Sequence, residues 1–264
     1  MPKAAIAGGE IYYEVAGEGH PLIFVSGLSG VGRYWQPQIA AFSARYKVVT
    51  YDQRGMGSSD RLQRIFSVDQ MAAELAELMD ALKIERAHIV GNSTGGAIGQ
   101  TLAIEQPQRV ARLVLGSTWT HCDPWFRRLF EARRQMYQEG GPELHARFHP
   151  LWLYPPEYVN AHDAEIEEEQ RTAPTKSTPV EVSVGRINAL LAFDRRAGLS
   201  RIKAPTLVMA CADDYITPSY YSEALARAIP GAKLVIPDGG GHAFSKTRSG
   251  EYNRIVLDFL GAAA

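Results

Sequence analysis

Short unbroken apolar runs alternate along this chain with longer stretches in which apolar residues recur every three or four positions. Leu22-Ile23-Phe24-Val25 has the pattern of a strand buried on both faces, and Tyr46 to Tyr51 has that of its successor. Ile11 to Val15, following Gly8-Gly9, predicts the second arm of an opening hairpin. Apolar residues at Met71, Leu75, Leu78, Met79 and Leu82 predict a helix over 68–82, with Ser67 as its N-cap. Strands follow at 87–90, 110–116, 205–211 and 232–236, and helices at 97–103, 220–228 and 251–260. Repeated strand–helix units imply an α/β protein with a mostly parallel sheet and helices on both faces.

Between Trp119 and about Arg196 the alternation stops. The segment is rich in aromatics and arginine and predicts helices broken at Gly140-Gly141-Pro142 and at Tyr154-Pro155-Pro156. It is expected to be a helical cap over 119–196, inserted into a core made of 1–118 and 197–264.

Composition narrows the function classes. The chain has 264 residues with 28 basic and 29 acidic side chains, a net charge of -1. No basic field invites nucleic acid, and no apolar stretch is long enough to span a membrane. Residues 1–17 lack the apolar stretch of a signal peptide, and the two cysteines, Cys122 and Cys211, form neither a disulfide framework nor a zinc spacing. A cytoplasmic protein acting on a small molecule, without metal or cofactor and either monomeric or homodimeric, is the expectation.

The chemistry is carried by Gly91-Asn92-Ser93-Thr94-Gly95, a G-x-S-x-G pattern between an apolar strand and a helix. A serine on so tight a turn is pushed outward to the helix N-terminus, and the glycines relieve the crowding where strand and helix cross. The bland alternative is a Gly-rich turn with a solvated serine. A nucleophilic Ser93 needs a base, a group to orient that base, and donors for an oxyanion. Ligands in parallel sheets bind beyond the carboxyl ends of strands. There the sequence offers Asp213 and Asp214 after one late strand and His242, in a Gly-rich loop, after the next. His145 and His149 share i, i+4 spacing without the glutamate of H-E-x-x-H, and His121-Cys122-Asp123 are consecutive and converge poorly on a metal. The backbone N–H of Thr94, and that of Leu28 in the loop Ser26-Gly27-Leu28-Ser29-Gly30, are the expected oxyanion donors.

Together with Asp52-Gln53-Arg54-Gly55-Met56-Gly57-Ser58-Ser59, these motifs resemble the α/β-hydrolase superfamily over nearly the whole chain. The resemblance implies a triad of Ser93, Asp214 and His242, the acid being chosen by the Asp214-to-Pro218 spacing, and a structural role for the Asp52 turn. Tyr34-Trp35-Gln36-Pro37-Gln38, Gln135 to Gly141 and Pro150 to Pro155 are similar to the aminoacrylate (carbamate) hydrolases of pyrimidine degradation, with enol-lactone hydrolases as further relatives. Those hydrolases do not all keep serine at the elbow, whereas this chain does; Ser26 stands where many relatives have histidine, and no role is assigned to it. The expected activity is hydrolysis of a small ester or lactone, or of a carbamate or aminoacrylate-type compound, through an acyl-enzyme on Ser93. The alternatives are a C–C bond hydrolase and a small-molecule receptor with vestigial hydrolysis. Aspartate-dependent halide displacement or epoxide opening does not fit a serine at this position. In the cap, Trp119, Trp152 and Tyr154 are expected at the substrate. Arg127-Arg128 and Arg133-Arg134 are candidates for a substrate carboxylate, although four arginines on one helix cannot all face inward.

Overall fold

The computed structural model describes residues 2–61, 66–172 and 178–262. Its strands are β1 (Lys3–Ile6), β2 (Gly9–Ala16), β3 (His20–Val25), β4 (Tyr46–Tyr51), β5 (Ala87–Asn92), β6 (Val110–Gly116), β7 (Thr206–Met209) and β8 (Lys233–Val235). They form one sheet in the order β1-β2-β4-β3-β5-β6-β7-β8. The β1–β2 and β2–β4 pairs are antiparallel, and every pair from β4–β3 onward is parallel.

The helices are α1 (Gln36–Ser43), α2 (Val68–Ala81), α3 (Thr94–Glu105), α4 (Pro124–Leu153), α5 (Pro156–Ala161), α6 (Asp163–Arg171), α7 (Val180–Leu191), α8 (Ser219–Ala228), α9 (Phe244–Thr247) and α10 (Ser249–Gly261). The two-residue period of the strands divides the core. Ile23, Val25, Ile89, Leu113 and Leu115 pack with residues of α2 and α3 on one face. Leu22, Phe24, Val90 and Val114 pack with Phe42 of α1 and Tyr252 and Val256 of α10 on the other. Phe24 lies between Trp35, stacked at 4.5 Å, and Phe42, edge-on at 5.1 Å. A continuous apolar run is therefore needed in the central strands, because neither face meets water.

Side-chain caps open two of the helices. Ser67 Oγ accepts from Gln70 N at 3.0 Å and opens α2. Asp123 Oδ1 accepts from Phe126 N at 2.9 Å and opens α4, with Pro124 at the first helical position. α4 runs through the expected break as a kink at Gly141, where φ is 68°, followed by Pro142. Between β6 and β7 lie α4 to α7, with α4 and α7 packed on each other. Among the described residues no helix is long and apolar enough to cross a membrane.

The sheet reverses its build direction at β3. β4 lies on one side of β3 and β5 on the other, so the loops after β3 and β5 diverge and leave a crevice at their carboxyl ends. Register puts Val25 opposite Gly91, bringing Ser26 and Ser93 to the same edge.

The crossing of α3 over β3 leaves no room for a side chain at Gly95: a Cβ there would lie 1.9 Å from the Val25 carbonyl oxygen. Gly95→Ala is therefore expected to cost about 3 kcal/mol or more, because backbone must move. Urea unfolding of the variant beside the wild type measures it. Stability is also expected to fall with pH between about 7 and 4. Burial pushes His88 down to about 4 and His145 further below its usual range. The unfolded chain binds protons at both below pH about 6.5 while the native chain does not, so acid favours unfolding. Melting temperatures at pH 7 and 5 read the slope, and His88→Leu is expected to make it shallower.

Candidate active site

Ser93 lies between the end of β5 and the start of α3 with φ 55° and ψ -118°. A non-glycine residue in this conformation stores about 1–3 kcal/mol of strain. The surroundings hold it there: Ser93 N donates to Gly116 O at 2.8 Å, and Ser93 O accepts from Gly96 N at 2.9 Å and Thr118 Oγ1 at 2.8 Å. Gly91 makes the tight turn possible, since a Cβ on it would lie 2.2 Å from Gly95 O. Ser93 is 6 % exposed.

His242 follows β8, and Asp214 follows β7. His242 Nδ1 is 3.0 Å from each Asp214 carboxylate oxygen. With Nδ1–H donating to that carboxylate, Nε2 keeps its lone pair as an acceptor. Asp214 is buried and also accepts from Ile216 N, Thr217 N and Thr217 Oγ1 at 2.9–3.0 Å, which offsets the loss of water around its charge. Asp213 has a different position. Its oxygens accept from Gly240 N at 3.1 Å and Gly241 N at 2.9 Å, tying down the loop that carries His242. Ala243 N donates to Leu153 O at 3.1 Å, so the end of α4 rests on the same loop.

The loop after β3 runs against Ser93: a Cβ on Gly27 would lie 3.3 Å from Ser93 Cβ. Its shape is set at several points. Gly30 N donates to Gly27 O at 3.0 Å, Ser26 Oγ to Val31 O at 2.7 Å, and Gln53 Nε2 to Ser26 O at 2.8 Å. Arg186, on α7, donates from Nε to Leu28 O at 3.0 Å and from Nη2 to Gln53 Oε1 at 2.5 Å. Behind the loop, the Asp52 carboxylate accepts from Gly32 N and Ser58 N, both at 2.8 Å.

A cavity of about 440 Å³ lies between this loop and the helical segment, walled by residues that include Leu28, Met56, Arg133, His149, Tyr154 and Arg186. Neither Ser93 nor His242 contributes to its wall, and it meets the loop over Ser93 at Leu28 and Ser29. Of the aromatics expected at the substrate, Tyr154 lines the cavity, its hydroxyl accepting from Lys246 Nζ at 3.1 Å. Trp119 does not: it is fully buried, stacked on Phe126 at 4.4 Å and edge-on to Phe193, because its large ring fills the space between α4 and the end of α7. Trp152 stands behind the wall, its ring 4.7 Å from the Arg133 guanidinium. Of the four candidate arginines, Arg127 and Arg128 are exposed, Arg134 donates to Asn188 Oδ1 at 2.8 Å, and only Arg133 turns into the cavity. Its Nη2 lies 3.4 Å from His145 Nε2, and burial with this neighbouring charge keeps His145 far below its usual pKa. His149 is held down to about 3 by the same two causes.

Arg186 escaped the sequence reading. The signal was present: it occupies the stripe Val182-Arg186-Ala189 on the buried face of α7, where a charged residue breaks the pattern. Lys246 and its partner Glu169 were missed as well, since 77 residues separate them. Asp123 was considered only within a weak metal cluster. Besides capping α4 it accepts from Tyr220 Oη at 2.6 Å, which ties α8 to the helical segment.

Comparisons with known proteins agree with this architecture. The α/β-hydrolase-fold family matches residues 20–248. A protein of Azorhizobium caulinodans named "Putative carbamate hydrolase RutD" is 38 % identical over 261 residues, covering 99 % of this chain and 98 % of that protein. The Yersinia enterocolitica protein of the same name is 36 % identical over 255 residues, covering 95 % and 92 %. Among solved structures, the enol-lactonase from Burkholderia xenovorans is 27 % identical, with a TM-score of 0.92 over 99 % of this chain and 100 % of that one. The crossed strand and helix at Ser93, the crevice at β3 and β5 and these matches converge: the chain belongs to the α/β-hydrolase family.

Proposed function

We propose that this protein is a cofactor-independent serine hydrolase of small carbonyl compounds. The reading rests above all on one arrangement: a strained serine at the N-terminus of α3, under the loop after β3, with a histidine fixed by a buried carboxylate on the neighbouring strand ends. Residues 119–196 act as the cap over a core of 1–118 and 197–264. Two free cysteines and no disulfide suit a reducing cytoplasm.

In this reading Ser93 Oγ attacks the substrate carbonyl while His242 Nε2 takes its proton. Asp214 holds the imidazole in the required tautomer and stabilises the imidazolium that forms. The developing oxyanion is met by the N–H groups of Thr94, at the positive end of α3, and of Leu28. The intermediate collapses, His242 protonates the leaving oxygen or nitrogen, and an acyl group remains on Ser93. Water, deprotonated by His242, then attacks that acyl group and frees the serine. The names of the relatives, a carbamate hydrolase and an enol-lactonase, support a compact carbonyl substrate. Esters and lactones come first for this chain, carbamate or aminoacrylate-type compounds next.

Turnover of p-nitrophenyl acetate by purified protein tests the reading. Ser93→Ala is expected to lose about 10⁴-fold or more in kcat. Sustained wild-type turnover that survives in Ser93→Ala rejects it. The two aspartates separate on the same assay. Asp214→Asn is expected to lower kcat by about 10³- to 10⁴-fold, since the imidazole loses its orienting charge. Asp213→Asn keeps one acceptor for the glycine N–H groups and is expected to lose less than about tenfold. A larger loss in Asp213→Asn than in Asp214→Asn reverses the assignment.

A further inference from the structure

The cavity reaches from the loop over Ser93, at Leu28 and Ser29, to exposed wall residues that include Gln36, Pro37 and Glu169. At this outer end α6 forms part of the wall. Its residues Ile166, Glu169 and Gln170, spaced i, i+3 and i+4, share one helix face and line the cavity. Apolar packing fastens that wall only weakly. No residue of α5 is buried, and Ile166 is the one buried residue of α6. Glu168, next to Glu169, turns back to Arg171 within the helix.

The chain on either side of this wall is held more firmly. Leu153 O accepts from Ala243 N at 3.1 Å, and a Cβ on Gly241 would lie 3.0 Å from Pro155 Cδ, so the turn Tyr154-Pro155-Pro156 rests on the loop of His242. α9, which continues that loop, is fastened to the core. Gln38 Nε2 donates to Ser245 O at 2.5 Å, and the hydroxyls of Tyr34 and Ser245 are 2.7 Å apart. Lys246 projects from this fixed helix. Its Nζ donates to both carboxylate oxygens of Glu169, at 2.6 Å to Oε2, and to Tyr154 Oη at 3.1 Å. Among the described residues, the contact with Glu169 is the one ion pair or hydrogen bond that joins α5 or α6 to the α/β core. Both side chains keep contact with water, so the pair opens at little cost and is screened by salt.

We propose that Lys246 is a specificity-determining residue: through Glu169 and Tyr154 it holds α6 as the outer wall of the cavity and so limits the length of acyl group that the cavity accepts. This inference rests on the hydrolase reading, since the acyl group meant is the one that Ser93 receives. An acyl chain running past Leu28 meets the face of α6 that carries Ile166 and Glu169. Further methylenes fit only if α6 swings outward about Tyr154-Pro155-Pro156. With the ion pair made, that swing separates two charges and uncovers Ile166; with the pair broken, only the burial of Ile166 resists it. Short acyl groups are therefore the preferred class, and the limit relaxes as salt screens the pair.

Hydrolysis of p-nitrophenyl acetate, butyrate and octanoate tests the limit. Wild type is compared with Glu169→Gln, Lys246→Met and the charge-exchanged double variant Lys246→Glu/Glu169→Lys. The ratio of kcat/KM for octanoate to that for acetate is expected to rise at least about threefold in each single variant, chiefly through a lower KM for octanoate, and to return toward wild type in the double variant. Ratios that stay at the wild-type value in the single variants, or that the double variant fails to restore, overturn the proposal. Lys246→Arg keeps the charge and is expected to keep the wild-type ratio; a rise there equal to that in Lys246→Met points to general loosening and counts against the proposal. Hydrogen exchange read by mass spectrometry tests the fastening without turnover. Amides of 157–171 are expected to exchange at least about twofold faster in Glu169→Gln, and in wild type at about 0.5 M sodium chloride, while those of α3 keep their rate. Unchanged exchange over 157–171 overturns the fastening and the limit with it. If wild type hydrolyses none of the three esters while Glu169→Gln still exchanges faster, the hydrolase reading and the acyl limit fall and the tie between Lys246 and α6 stands.

Discussion

The contact between α3 and β3 sets the geometry on which the rest of the site depends. In a parallel sheet a strand must hand over to a helix that crosses back over its neighbours, and here that helix meets β3 with backbone against backbone at Gly95 and Val25. Because the approach is so close, the β5–α3 turn has little freedom, and Ser93 is left at φ 55°. The same closeness brings the loop after β3 against the serine at Gly27. Gly116 and Thr118, at the end of β6, hold the turn from the other side. A strained residue persists only where its surroundings over-determine it. Three adjacent strands do so here.

Around that rigid centre, polar groups from distant segments are bound by hydrogen bonds that replace lost water. Asp214 is buried yet has donors from two backbone amides, a hydroxyl and the imidazole. Arg54 and Glu74 make a buried ion pair at 2.8 Å, with two more Arg54 donors on the carbonyls of Ala7 and Gly8. Burial raises the Glu74 pKa and the arginine lowers it. Such pairs add little net stability over apolar packing, but removing one partner alone is costly, so they specify how segments dock. The helical segment is bound to the core in the same way. Leu153 O receives Ala243 N beside His242, and Arg186 reaches the loop beside Ser93. The segment therefore touches both the loop that carries His242 and the loop that runs against Ser93.

Much of the fold was legible because its signals are local. The continuous apolar runs at 22–25 and 110–116 reflect strands covered on both faces, and β2 to β8 each overlap an expected run, whereas β1 was implied only as the unassigned first arm of the hairpin. Ser67 and the Gly140-Gly141-Pro142 break were read from capping and backbone preferences that act over a few residues. Ends were less legible: the last helix starts at Ser249 rather than Glu251, and β8 is shorter than its apolar run. Strand ends depend on where neighbours stop pairing, which no single segment encodes.

The candidate site divides along the same line. The sequence by itself determined the residue types and their order after the strands: Gly91-Asn92-Ser93-Thr94-Gly95, the aspartate pair, the late His242 and the loop 26–30. Gly91 and Gly95 stand where close backbone approach excludes a side chain, and the aspartates and His242 were found by their place just after strands. Tertiary structure decided which aspartate faces the imidazole, since Asp213 and Asp214 are adjacent and differ only in the direction of their side chains. It also decided which arginine of α4 turns inward, why Trp119 belongs to the core, and that Arg186 meets Leu28 across 158 residues. Such contacts are set by how helices of one segment settle on loops of another. Their energies come from burial and charge in three dimensions, and periodicity along the chain does not carry that information.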